Sequence, residues 1–206
     1  MLRVGLTGGL ASGKSFAAAE FERLGCPLLH ADRVSRDLLA EDAGARDETI
    51  AAFGAGIVGA DGTVDRSALA RLVFGDPAKL ERLNGIIHPR VFRRIDAFFD
   101  AVERRAPSAV AVVEAAIMIE TGSYRRYDRV ILVACPRELQ LRRFVERGSG
   151  TRADAEVRLG RQMPLEEKRR FADHVIDSGG SKDETLAQVR RLCGELQAAA
   201  SQKAGD

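Results

Sequence analysis

The sequence predicts an α/β fold of three layers, with helices on both sides of a mostly parallel sheet. Three observations carry that expectation. The chain opens with a short apolar strand, a glycine-bearing loop and a helix. Two later runs, 109–113 and 130–134, are apolar at every position, the pattern of strands buried on both faces. Helical patterns separate those runs, as crossovers between parallel strands require.

Taken in order, residues 2–6 form the first strand and lead into Thr7-Gly8-Gly9-Leu10-Ala11-Ser12-Gly13. Over 14–24, Phe16, Ala17, Phe21 and Leu24 recur every three or four residues, which predicts a helix that Gly25 stops. Residues 27–31 read as a second short strand closed by Asp32. The segment 33–105 is mainly helical, interrupted at Gly54, Gly56, 59–62, 75–77 and His88-Pro89. Pro107 precedes the run 109–113, and Cys135-Pro136 ends the run 130–134. Residues 137–170 are helical and rich in arginine. A short strand follows at 174–176, stopped by Asp177-Ser178-Gly179-Gly180. A last amphipathic helix covers 183–198, and 201–206 read as a frayed tail.

The bulk composition narrows the function classes. The chain has 206 residues, 45% hydrophobic and 30% charged, in the range of a globular protein. Its 32 basic and 30 acidic residues leave a net charge of +2, too even for general affinity to nucleic acid or membrane, so any anion site is local. Cys26, Cys135 and Cys193 form no CxxC pair and read as reduced thiols. No signal-peptide core follows Met1, and no run of about 18 apolar residues occurs. These features predict a soluble, cytoplasmic, metabolic-sized protein.

The run Gly8-Gly9-Leu10-Ala11-Ser12-Gly13-Lys14-Ser15 fits GxxxxGK[ST] at every fixed position, between a predicted strand and a predicted helix. Glycines let backbone N–H groups turn toward phosphate oxygens with no Cβ in the way. The following helix points its positive end at the same anions. Gly8, Gly9, Ala11, Ser12 and Gly13 thus form the cradle. Lys14 reaches the β- and γ-phosphates, and the Ser15 hydroxyl ligates Mg²⁺. The pattern predicts nucleotide binding.

Such a loop serves kinases, GTPases and motor ATPases alike. Asp32, at the end of the second strand, is a candidate to take the proton of an acceptor hydroxyl; it is equally placed to cap a helix starting near Arg33. Glu114, ending the run 109–113, stands where an acid meets Mg²⁺ or its waters. Glu120 reads as a solvent-facing acid. The segment 137–170 holds ten basic residues against six acidic ones, most of them a solvated helix face. Arg143 and Arg147, one turn apart, are candidates to close over the triphosphate, with Arg158 behind them. No Asn/Thr-Lys-x-Asp element is present, which argues against a GTP-binding switch.

The residues resemble the dephospho-CoA kinase family, over nearly the whole chain. The opening 4–15 is similar to its phosphate loop, and Ala31-Asp32-Arg33 to the end of its second strand. In order follow Phe53-Gly54, Asp61-Gly62-Thr63-Val64-Asp65-Arg66, Leu69, Val73-Phe74, Leu83-Asn84 and Ile87-His88-Pro89. Glu120-Thr121-Gly122, Gln140-Leu141 with Arg143 and Arg147, Gln162 and Val175-Ile176-Asp177 also agree. The resemblance implies a P-loop NTPase fold with a nucleotide core (1–32, 108–136 and 171–200), an inserted helical acceptor domain (33–107) and a helical lid (137–170). It implies transfer of the γ-phosphate of ATP to the 3′-hydroxyl of dephospho-CoA, the last step of coenzyme A synthesis, with Asp32 as base.

ATP and Mg²⁺ are the cofactors so implied. The partners are small molecules, without nucleic acid or membrane, and the chain is a monomer or weak homo-oligomer. The alternative is another P-loop kinase, for a nucleoside monophosphate or a small metabolite. Four positions depart from the family pattern. His30 stands where aspartate is common, and Glu114 replaces a more familiar aspartate. Phe16 replaces a threonine near the α-phosphate, and Gly148 stands where an acid is frequent. None removes a required group.

Overall fold

The apolar runs become the strands of one five-stranded sheet in the computed structural model, which describes residues 1–73 and 75–205. In chain order the strands are β1 (Leu2–Gly8), β2 (Leu28–His30), β3 (Val110–Glu114), β4 (Arg129–Ala134) and β5 (His174–Asp177). All are parallel, in the order β2-β3-β1-β4-β5. This is the α/β P-loop arrangement. β3 is buried at every position, as a central parallel strand covered on both faces must be.

The helices are α1 (Lys14–Arg23), α2 (Ala31–Glu41), α3 (Ala43–Phe53), α4 (Arg66–Val73), α5 (Pro77–Arg105), α6 (Arg137–Glu146), α7 (Arg152–Leu159), α8 (Leu165–Lys168) and α9 (Lys182–Gly205). The chain divides into two units. One comprises Met1–His30 with Phe99–Asp206, the other Ala31–Phe98.

In the first unit, Leu2, Val4 and Leu6 of β1 alternate onto one face with Val110, Val112, Ile131, Val133 and Ile176. Ala17, Ala18 and Phe21 of α1 and Val189, Leu192 and Leu196 of α9 close over them. A three- or four-residue helical period thus meets a two-residue strand period. Cys26 and Cys193, 167 positions apart, bring their Sγ atoms within 3.6 Å in this core. In the second unit, Leu38 and Leu39 of α2, Ala45 of α3, Leu69 of α4 and Ile86, Ile87, Val91 and Ile95 of α5 are buried. Asp42 caps α3 by accepting from Ala45 N at 2.9 Å, and Asp76 caps α5 by accepting from Lys79 N at 3.1 Å, with Pro77 at its first position.

Three expectations differ from the structure. His88-Pro89 does not interrupt a helix: α5 runs through it. Proline removes one backbone donor and crowds the preceding turn. Buried Ile86 and Ile87 before the proline and Val91 and Ile95 after it keep both halves of α5 in the core of the second unit, and the Arg90 guanidinium donates to the Ile86 carbonyl at 2.8 Å. The tail is not frayed through 201–205. α9 continues because Ala200 is buried and Lys203 Nζ reaches Asp128 Oδ1 at 2.8 Å. Asp32 sits inside the first turn of α2 rather than before it, where a carboxylate still meets the positive helix end. Phe74 of the family pattern and Asp206 of the tail lie outside the described residues. Among the described residues no helix is long and apolar enough to cross a membrane.

Glu20 of α1 is 6% exposed. It accepts from Arg23 Nε at 2.7 Å and from Arg190 Nε of α9 at 2.7 Å, tying the two helices together. The Arg23 hydrogen bond leads, burial opposes it, and Arg190 adds to it, so the carboxyl falls from 4.5 to about 2. A depressed acid contributes stability above its unfolded pKa and loses it as pH falls through its folded pKa. Glu20→Gln should therefore lower Tm at neutral pH by roughly 2–4 °C, about 1 kcal/mol for a pair with solvent-exposed arginines. In thermal melts the gap between parent and variant should close between pH 4.5 and about 2.

Candidate active site

The turn between β1 and α1 is built for anions. Ala11 has φ 52° and Gly13 has φ 87°, two left-handed residues within three positions. Such alternation turns successive N–H groups toward one point and makes a concave anion-binding nest. α1 starts at Lys14 directly after Gly13, so its positive end joins the same spot. At Gly8 a Cβ would stand 2.5 Å from Ser12 Oγ and 2.7 Å from the Val133 carbonyl oxygen, contacts no side chain can make.

Neighbouring elements hold the turn from outside. Ser178, just past β5, donates its hydroxyl to the Ser12 carbonyl at 2.5 Å. Gln162, after α7, accepts the Leu10 N–H at 3.0 Å. Arg143 of α6 donates to the Ser178 carbonyl at 2.8 Å, and its guanidinium stands beside the Gly13 backbone. Ser12 Oγ and Gln140 Oε1, the latter facing Gly9, are the buried side-chain polar atoms without a hydrogen-bond partner among the described residues. Orphaned polar atoms of this kind mark where a ligand or water completes the set. A cavity of about 750 Å³ opens beside Gly9, lined also by Pro136, Arg137, Gln140, Gln162 and Arg169. That volume lies in the range of ligand pockets.

Glu114 is the electrostatic centre of the site. At 4% exposure, its Oε1 accepts from Lys14 Nζ at 2.5 Å and from Ser15 Oγ at 2.8 Å. Its Oε2 accepts from His30 Nδ1. Burial pushes the carboxyl up, but the Lys14 charge and the hydrogen bonds from Lys14, Ser15 and His30 outweigh it, so its pKa lies below the usual carboxylate value. It is therefore ionised near neutrality. Ser15 and Glu114 offer two hard oxygen donors side by side, a set that suits Mg²⁺, which keeps most of its shell for water and phosphate oxygens.

The first unit thus brings Gly8, Gly9, Ala11, Ser12, Gly13, Lys14, Ser15, Glu114 and Arg143 together. Phe16 is half-buried on α1. Arg147 is exposed at the C-cap of α6, and Arg158 lies over the Phe144 ring at 5.2 Å, a packing role. Asp32 is exposed and belongs to the second unit. Glu120 is exposed as expected, yet it also has structural partners. It accepts from the Met163 N–H at 3.1 Å and from the fully buried Lys168 Nζ at 2.9 Å. Sequence reasoning missed the structural work of Ser178 and Gln162, neutral side chains whose partners Ser12 and Leu10 lie far along the chain, and of Gln140, whose side chain faces Gly9. For Ser178 the signal was a turn after a strand, on the same sheet edge as the glycine loop.

A family model described as dephospho-CoA kinase matches residues 2–184. The chain is 41% identical to dephospho-CoA kinase from Geobacter metallireducens, over 93% of this chain and 95% of that one. It is 36% identical to dephospho-CoA kinase from Aquifex aeolicus, over 95% and 98%. The crystal structure of TT1252 from Thermus thermophilus superposes with a TM-score of 0.82 at 33% identity, covering 95% of this chain and 97% of that one.

Gly8→Ala is expected to weaken ATP binding by about 100-fold or more, since the added methyl displaces the loop that carries the phosphate amides. Isothermal titration with ATP checks this, and a thermal melt of the unliganded variant separates lost binding from lost folding.

Proposed function

The chain belongs to the dephospho-CoA kinase family, which transfers the γ-phosphate of ATP to the 3′-hydroxyl of dephospho-CoA to give CoA and ADP, and from that premise we infer how its own residues carry the reaction. The observation that supports the assignment best is the convergence of Lys14, Ser15 and Glu114 at a loop whose backbone is already turned for anions.

Amides of Gly9 to Lys14 bind the triphosphate, and the positive end of α1 faces it. Lys14 leaves Glu114 for the β- and γ-phosphates and neutralises charge that spreads over the transferring phosphoryl oxygens. Ser15 and Glu114 hold Mg²⁺, which supplies charge neutralisation to the phosphates when bound. Arg143, anchored on Ser178, adds a second cation beside Gly13. Phe16 packs toward the α-phosphate. Residues 137–170 form the lid, whose Arg147 is brought to the phosphates as it closes.

Residues 33–107 form the acceptor domain. Asp32 accepts the proton of the 3′-hydroxyl as the new O–P bond forms and the bond between the β- and γ-phosphates breaks. A dissociative phosphoryl transfer asks little basicity of its base. The protein acts in the cytoplasm as a monomer or weak homo-oligomer.

Incubation with ATP, MgCl₂ and dephospho-CoA, followed by mass spectrometry, is expected to show CoA and ADP. Preference for a nucleoside monophosphate over dephospho-CoA would overturn the acceptor assignment. Lys14→Ala should lower kcat by about 10²- to 10³-fold, the scale for losing one preorganised charge at the transition state. Asp32→Asn should keep the Kd for ATP and lower kcat; unchanged kcat would leave Asp32 only its place in the first turn of α2.

A further inference from the structure

His30 ends β2 and Glu114 ends β3, and the two strands pair with these residues in register. In a parallel pair, residues in register project on the same face, so the imidazole and the carboxylate leave the sheet together. The two oxygens of Glu114 have separate partners. Oε1 takes Lys14 and Ser15, whereas Oε2 takes His30 Nδ1. In the reaction described above, Lys14 and Ser15 both turn to the nucleotide and its metal. Oε1 then exchanges its partners. His30 is the contact of the carboxylate that the exchange does not consume.

Glutamate has three side-chain torsions, and losing two partners at once frees them to follow Lys14. We propose that His30 is a positioning residue: by donating from Nδ1 to Oε2 it holds the Glu114 rotamer, so that Oε1 stays in place for Mg²⁺ as Lys14 leaves. The inference rests on the reading of Glu114 as a Mg²⁺ ligand. The His30 side chain is 41% exposed and is not part of the apolar core around β1, so its replacement leaves that core intact.

The geometry separates three variants. Asparagine carries its amide nitrogen two bonds from Cβ, as imidazole carries Nδ1, so His30→Asn keeps the donor. His30→Gln moves it one bond outward, and His30→Ala removes it. The readout is the ATP-induced rise in Tm, measured against MgCl₂ concentration. His30→Ala and His30→Gln should need about 10-fold more Mg²⁺ for half the effect, the scale on which partners of metal ligands act, and His30→Asn should stay within about twofold of the parent. The shift given by ATP in EDTA should match the parent, whereas unliganded His30→Ala and His30→Gln should melt slightly lower, because the buried carboxylate loses a donor.

An unchanged Mg²⁺ midpoint in His30→Ala would overturn the proposal. So would a midpoint in His30→Asn as poor as that of His30→Ala, or a parent whose ATP-induced shift ignores Mg²⁺. A fall in unliganded Tm with no change of midpoint would make His30 merely structural, and overturns it too. Assay of CoA formation on the same proteins keeps the two readings apart. A parent that forms no CoA, yet whose Mg²⁺ midpoint follows the donor at position 30, sinks the kinase assignment and leaves the positioning role standing.

Discussion

Backbone direction at the turn from β1 to α1 is the constraint on which the nucleotide-binding unit depends. Left-handed conformations at Ala11 and Gly13 aim consecutive amides at one point, and α1 begins there with Lys14. The sheet determines the positions of these main-chain groups, because β1 lies between β3 and β4 at the centre of the order. The surrounding side chains serve that turn: Ser178 takes its Ser12 carbonyl, Gln162 its Leu10 amide, and Gln140 packs against Gly9. Each comes from a different element, so the loop is held from several directions.

The second organising feature is a single buried carboxylate. A carboxylate out of water is costly unless cations and donors surround it. Glu114 meets that condition with Lys14 and Ser15 of α1 and His30 of β2, two separate stretches of the first unit. The charges and donors around this carboxylate are thus mutually satisfied within the fold. A comparable economy operates at Lys168, fully buried yet bonded to the Ala116 carbonyl and to Glu120, which also takes the Met163 amide. That cluster ties the segment after Gln162 to the segment after β3.

Much of this was legible in the sequence, and the reason lies in burial. Strands β3 and β4 are covered on both faces, so their runs carry no polar residue until the ligand-facing edge, and Glu114 stood out for that reason. The loop was legible because glycine, lysine and serine at fixed spacing have few other uses. Helix ends were less so. Pro89 reads as a break by local rules, yet buried residues on both sides of it hold α5 to one core, and the helix continues. The end of α9 reads as polar and loose, yet Lys203 finds Asp128, 75 positions away in the chain.

By itself the sequence determined the parallel α/β class, the phosphate loop and its lysine and serine, and the dephospho-CoA kinase resemblance that the family match bears out. Those follow from short-range spacing and from whether a run is apolar throughout, properties one stretch of chain carries alone. Only the tertiary structure decided which partners Glu114 keeps, that His30 is one of them, that Glu120 neutralises a buried lysine, and that Ser178 and two glutamines brace the loop. Such choices depend on distances between side chains many residues apart, and in a parallel sheet those distances are set by strand order and register, which no local pattern contains.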